Sequence, residues 1–168
     1  MELVSRMMDG SIPYDVKEAL RSGSGELRVA QDEKMGHLED VPLLEGCTRG
    51  QLREVARISR VLEVPAGSVL TRAGEPGEEF FFIIDGRARV HVSARKRRRL
   101  NPGDFFGEIS LLDGGPRSAT VIAETPMRLL VITRENFSTL LADVPDLTQT
   151  ILVTLTKRLR QAERTLRH

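Results

Sequence analysis

Cysteine is almost missing from the 168-residue sequence: Cys47 stands alone. No intramolecular disulfide can staple the fold, and no cysteine-rich zinc or iron–sulfur centre can form. Histidine is nearly as scarce. His37, His91 and His168 are scattered, with no pair at metal-ligand spacing, so the usual catalytic metal sites are not expected. No apolar run approaches the roughly 20 residues that a membrane span needs. The opening MELVSRMMDG lacks the basic start and apolar stretch of a secretory signal. These absences predict a cytoplasmic chain without a membrane span, a resident cofactor or a catalytic metal.

What is present suits one globular domain with chain left over for terminal segments: 40% hydrophobic and 29% charged residues. The net charge of +1 hides an uneven distribution. Ala94 to Leu100 carries five positive charges and Ile151 to His168 a net +4, which leaves −8 on the remainder. Such blocks can attract nucleic acid, but a short basic run is more often a solvated hairpin tip or helix face. The run Arg95–Arg99 is expected to be a solvated connection between strands, and no direct nucleic-acid binding is expected.

Residues 1–36 read as an N-terminal extension. It has one short helix, about Tyr14 to Arg21, on Ile12, Val16 and Leu20, followed by Ser22-Gly23-Ser24-Gly25 and a polar connector. Residues 37–144 read as the main domain. Leu43, Leu44, Leu52, Val55, Ala56 and Ile58 fit short helices, with Thr48 as an N-cap. From Val61 to Ile132 the period becomes strand-like, and Gly, Pro, Asn and Asp recur as turns, which argues for a sandwich or barrel of short antiparallel strands. Phe80–Ile84 is apolar on both faces and so central, whereas Ala88, Val90 and Val92 alternate with polar residues. Asp85-Gly86 between them predicts a tight type I′ hairpin. Strands resume at Ser118–Ala123 and Met127–Ile132. Thr133 then caps a helix through Phe137, Leu140 and Leu141, and Pro145 opens a final helix over 145–168.

The chemistry concentrates in FGEISLLDGGPRSATV, residues 106–121, a short helical turn and Gly-rich loop between strands. An Arg that projects into a barrel cavity needs an anionic partner, and its planar fork suits phosphate oxygens. Gly107 can let backbone approach a ligand. Free N–H groups near Glu108 can face a phosphate, Gly114-Gly115 can adopt conformations closed to other residues, and Pro116 stiffens the entry to Arg117. Glu108 is an acceptor suited to a ribose 2′-hydroxyl and a counter-charge for Arg117. Together they describe a sugar phosphate.

This segment resembles the phosphate-binding cassette of the cyclic-nucleotide-binding domain family, which includes kinase regulatory subunits, cyclic-nucleotide-gated channels and catabolite activator proteins. The resemblance runs from LEDVPLLEGCTRGQL through AGSVLTRAGEPGEEFFFIIDGRARV to the closing helices, roughly residues 38–160. It implies a mainly β fold with flanking helices: a double-stranded β-helix, jelly-roll-like barrel with N-terminal helices and C-terminal lid helices. It also implies that Glu108 takes the ribose 2′-hydroxyl, Arg117 the equatorial and axial phosphate oxygens, and the backbone N–H of Ser118 or Ala119 a further phosphate contact, with Gly107 near the ribose. The ligand site so implied comprises Phe106, Gly107, Glu108, Ile109, Ser110, Pro116, Arg117, Ser118 and Ala119, with no catalytic residue. The ligand is cAMP ahead of cGMP, and Ser118 does not settle the base.

The family's C-terminal helix implies a lid over the base, with Leu155 and Leu159 as apolar cover and Arg160, Glu163 or Arg164 as polar contacts. The stripe Leu152, Leu155, Leu159, Ala162 and Leu166 can pack on its own barrel or pair with a second copy as a homodimer. The expected role is a regulatory module that switches an unidentified effector by movement of this helix. Two other classes compete with it. One is the nucleotide-sensing fragment of a catabolite-activator-like regulator lacking its DNA-binding domain, for which the chain leaves no room after its last helix. The other is a sugar-phosphate enzyme on a related barrel, for which the sequence offers no metal ligands or acid–base pair.

Overall fold

The computed structural model describes residues 15–23, 25–39, 44, 47–91 and 97–167. Ile12, Tyr14, Leu43, Val92, Arg95, Lys96 and the side chain of Leu166 lie outside what is described. The elements run α1 (Val16–Ser22), β1 (Glu26–Leu27), α2 (Gln31–Glu39), α3 (Arg49–Ile58), β2 (Arg60–Val64), β3 (Val69–Thr71), β4 (Glu79–Asp85), β5 (Ala88–His91), β6 (Arg97–Leu100), β7 (Phe105–Phe106), α4 (Glu108–Asp113), β8 (Thr120–Ala123), β9 (Met127–Thr133), α5 (Arg134–Asp143) and α6 (Pro145–Arg167). The strands form two antiparallel sheets, ordered β1-β2-β9-β4-β7 and β3-β8-β5-β6, in a jelly-roll-like arrangement with flanking helices.

Period-two alternation along β4 and β9 divides the interior into two layers. Phe80, Phe82, Leu130 and Ile132 point to one side, where Met35 and Leu38 of α2, Val55 of α3, Phe137 of α5 and Leu147 and Ile151 of α6 cover them. Phe80 stacks on Phe137 with ring centroids 4.6 Å apart. Phe81, Ile83, Leu129 and Val131 point the other way, toward Val90 and Val121 of the second sheet. With both faces covered, β4 is apolar throughout its middle, and each such side chain contributes roughly 1.5–3 kcal/mol on burial.

Helix ends follow from sequence as well. Thr48 accepts from the Gln51 N–H at 3.1 Å while Gln51 accepts from the Thr48 N–H at 2.8 Å, a complete capping box at the start of α3. Thr133 precedes α5 in extended conformation without a side-chain cap bond. Asp15 caps α1 by accepting from the Lys17 N–H at 2.9 Å. α1 sends Val16 and Ala19 into the core between the sheets, and β1 pairs with β2. The extension thus packs on the domain, and the 36/37 boundary falls inside α2.

Two expectations are corrected. Asp85-Gly86 is not a hairpin: β4 pairs with β7 and β9, β5 pairs with β6 and β8, and Asp85 does not take positive φ as a type I′ turn requires. The dipeptide is a corner at which the chain leaves one sheet for the other. Gly86 is needed there because its φ is +92° and because a Cβ would lie 2.4 Å from the Pro126 carbonyl oxygen. The basic run is also in part a strand and not only a connection: Arg97–Leu100 forms β6, in which Arg98 and Arg99 are exposed as expected and Arg99 reaches Glu124 at 3.3 Å.

The corner can be tested against Gly67, which has φ +86° but open space where a Cβ would sit. Gly67→Ala should cost about 1 kcal/mol of unfolding free energy for backbone strain alone, and Gly86→Ala at least about 2 kcal/mol more for the added clash. Urea unfolding of both variants measures the difference; equal losses would show that the corner relaxes freely.

Candidate functional site

The cleft lies where β7, α4 and the loop before β8 meet, and its assembly begins with Gly107. After Phe106 the chain turns at Gly107 with φ +92°, and α4 starts at the next residue. A Cβ there would stand 2.7 Å from the Glu79 carbonyl oxygen and 2.9 Å from Arg117 Nη1. Only glycine lets Arg117 lie this close to the backbone. Of the pair Gly114-Gly115, only Gly114 takes left-handed φ, where it ends α4.

Arg117 is 7% exposed and fixed from behind. Nη1 donates to the Gly107 carbonyl at 3.1 Å, and Nη2 donates to the Glu79 carbonyl at 3.0 Å and the Glu79 carboxylate at 3.2 Å. Its guanidinium carbon lies 5.7 Å from the centre of the Phe81 ring. Burial pulls the Arg117 pKa down from its ordinary value, and the Glu79 carboxylate works against that shift. A guanidinium stays protonated in any case, so the consequence is a weakly solvated cation with donor capacity left for an anion.

Glu108 is 1% exposed. Its partner is Arg158 of α6, whose Nη1 donates to Glu108 Oε1 at 2.6 Å while Nη2 donates to the Phe105 carbonyl at 3.2 Å. Arg158 also lies over the Phe105 ring, 5.2 Å from its centre. Burial raises the Glu108 pKa, with Arg158 as the largest opposing influence. The direct ion pairs are Arg158 with Glu108 and Arg117 with Glu79, so Glu108 serves as counter-charge for Arg117 only at longer range, as a lesser influence than Glu79.

Phe106, Gly107, Glu108, Ile109, Ser110, Arg117, Ser118 and Ala119 all line one cleft with about 410 Å³ of empty space, part of it open to solvent. Pro116 is outside the lining and instead bridges to Pro76. Thr71, Val90, Arg98, Val121 and Arg158 complete the wall. The Thr71 hydroxyl donates to the Ala119 carbonyl at 3.0 Å, which holds the loop after Arg117 against β3.

The lid candidates are placed elsewhere. Leu155 packs on the helix-side core, Leu159 is 60% exposed, and Arg160, Glu163 and Arg164 are exposed without lining the cleft. The residue of α6 that reaches the site is Arg158, which is absent from the residues expected there. Its signal was present: Leu147, Ile151, Leu155 and Arg158 recur at helical spacing, so the face that buries the first three turns of α6 carries Arg158 to the barrel. Arg98, at the cleft rim on β6, belongs to the run expected to be solvated. Among the described residues no group of three or more His, Cys, Asp or Glu could hold a metal ion, and no helix is long and apolar enough to cross a membrane.

The family model for the cyclic nucleotide-binding domain matches residues 61–144. A cyclic nucleotide-gated potassium channel of Mesorhizobium japonicum is 39% identical over 118 residues, which cover 70% of this chain and 33% of the channel. The chain thus spans about a third of the length of that relative. Among solved structures, the regulatory domain of Toxoplasma gondii protein kinase A with cAMP superposes with a TM-score of 0.65 at 25% identity, covering 74% of this chain and 50% of that one. The Thermus thermophilus catabolite activator protein gives a TM-score of 0.67 at 28% identity, covering 74% and 61%.

The raised Glu108 pKa has a consequence for stability with a definite sign. A carboxyl that holds its proton more tightly when folded stabilises the fold at low pH, and this advantage is lost as pH rises from the ordinary value of 4.5 through the raised folded value. Glu108→Gln lacks that loss. The stability of the parent relative to Glu108→Gln should therefore fall with rising pH, beginning near pH 4.5, when both are unfolded in urea across pH 3.5–8. A difference that grows in the parent's favour over that range would show that Arg158 more than offsets the burial of the carboxylate.

Proposed function

Because the chain belongs to the cyclic nucleotide-binding domain family, we propose that it is a cytoplasmic regulatory module that binds cAMP ahead of cGMP and signals to an effector through α6. The observation that carries this reading is that a buried, back-anchored Arg117 and a buried Glu108 line one cleft. The cyclic phosphate would take the open donors of Arg117 and the backbone N–H of Ser118 or Ala119. The ribose 2′-hydroxyl would donate to Glu108. The likeness to the Toxoplasma gondii regulatory domain, whose structure holds cAMP, supports cAMP as the first ligand to test.

Arg158 gives the binding event a route to α6. It holds Oε1 of Glu108, and the other carboxylate oxygen would be the acceptor for the ribose hydroxyl. A ligand that bonds to Glu108 then favours the ionised carboxylate, and the ionised carboxylate favours Arg158 in place. Binding and docking of α6 thus reinforce each other, and the population shifts toward the docked helix that an effector would read. The module uses binding alone, and no catalytic role is assigned to any of these residues.

Isothermal calorimetry with cAMP, cGMP and 5′-AMP tests the class. We expect the cyclic forms to bind far more tightly than 5′-AMP, and Arg117→Ala to weaken cAMP at least about 100-fold through loss of charge-assisted contacts in a desolvated site. Glu108→Ala should lose less and should erase discrimination against 2′-deoxy-cAMP. Parent-like affinity in a folded Arg117→Ala protein would remove the phosphate assignment.

For the switch, hydrogen exchange across 147–167 should slow on addition of cAMP in the parent, and Arg158→Ala should abolish most of that added protection. Equal protection in parent and variant would mean that α6 does not report on the ligand through Arg158.

A further inference from the structure

We propose that Glu79 makes this site select a singly charged phosphodiester and reject a doubly charged phosphomonoester. The inference rests on the cyclic-nucleotide reading of the cleft and names a residue that the phosphate cassette does not contain. Glu79 sits at the start of β4, outside the cleft lining, with its carboxylate 3.2 Å from Arg117 Nη2. Its side chain is 17% exposed and that of Arg117 6%, so water screens the pair poorly.

The logic is electrostatic. A lone buried guanidinium would reward each additional negative charge on a ligand. With Glu79 fixed behind it, the field of Arg117 at the phosphate is partly cancelled: a first negative charge still finds its open donors, and a second gains much less while costing more to desolvate. A cyclic phosphate carries one charge at every pH near neutrality. A 5′-phosphomonoester carries one below about pH 6 and two above it. The parent should therefore discriminate against 5′-AMP more strongly as pH rises through about 6.

Other charges around the pair are already matched or lie toward solvent. Glu78 is held by Arg134 of α5 at 3.3 Å, and Asp15 of α1 faces Arg72 at 3.8 Å. Lys17, Glu75 and Glu135 edge the neighbouring hollows that Glu79 also lines. Across the cleft stand Arg98, Arg158 and Glu108. Glu108, whose pKa burial raises, is the same in the parent and in both Glu79 variants, so its effect cancels when their ratios are compared at one pH.

The experiment is calorimetric titration of the full chain with cAMP and 5′-AMP at pH 5 and pH 8, for the parent, Glu79→Gln and Glu79→Asp. Linear response gives a sharp expectation: whatever factor the lost charge adds for a monoanion, it adds squared for a dianion. At pH 8 the ratio of 5′-AMP to cAMP dissociation constants should fall about tenfold in Glu79→Gln, and at pH 5 it should match the parent. Glu79→Asp, which keeps the charge, should keep the parent's rise from pH 5 to pH 8. Loosening of Arg117 would instead leave the ratio unmoved at pH 5 and raise it at pH 8, because a weakened cation penalises the dianion more, the opposite of the fall expected from loss of the Glu79 charge.

A ratio in Glu79→Gln equal to the parent's at both pH values, or changed equally at both, would overturn the proposal and reduce Glu79 to a support for Arg117. A parent whose own ratio is flat between pH 5 and pH 8 would overturn it without any variant. Failure of the underlying reading looks different: the parent would then bind neither cAMP nor cGMP, and the proposal would fall with it.

Discussion

The cost of taking charge out of water governs this molecule. Glu108 and Arg117 are almost wholly buried, and a buried charge without a partner costs several kcal/mol. Each is therefore met by an opposite charge from a distant part of the chain: Glu79 at the head of β4 for Arg117, and Arg158 deep in α6 for Glu108. These pairings dictate much of the surrounding architecture. Gly107 must lack a side chain so that Arg117 can lie on its carbonyl, and Phe81 and Phe105 present ring faces to the two guanidinium groups. The apolar framework of β4 and β9 supplies the rigidity that keeps the pairs at bonding distance.

Local signals in the sequence carried the elements well. Alternation marked β4 as central, Thr48 and Gln51 marked the start of α3, and Pro145 marked the start of α6. The cassette residues were legible because their types and spacing are specific, and all but Pro116 line one cleft. What was lost was pairing. Asp85-Gly86 has the composition of a hairpin, yet whether two successive strands share a sheet depends on how the whole barrel closes, which no dipeptide records. The partners of Glu108 and Arg117 were hidden for the same reason: an ion pair between residues 108 and 158 leaves no periodic trace. Arg158 could have been found by continuing the buried face of α6 one step past Leu155, but the apolar stripe points to Leu159, which the structure leaves open.

α6 itself has two unequal halves, held to the rest of the chain by different forces. Leu147 and Ile151 are buried and tie the first turns to the helix-side core. Beyond them, Leu152 and Leu159 are 54% and 60% exposed, and Arg158 reaches the barrel with 22% of its side chain open. The anchored half costs several kcal/mol to release, since two large aliphatic side chains would return to water. The far half is held in large part by a polar grip, whose net value after desolvation is on the order of 1–3 kcal/mol. A change of about 1.4 kcal/mol at Glu108 moves such an equilibrium about tenfold, whereas the same change leaves the anchored half in place. On the proposed reading, a response to ligand would therefore be confined to the turns of α6 around and beyond Arg158, with the anchored half of the helix held in place.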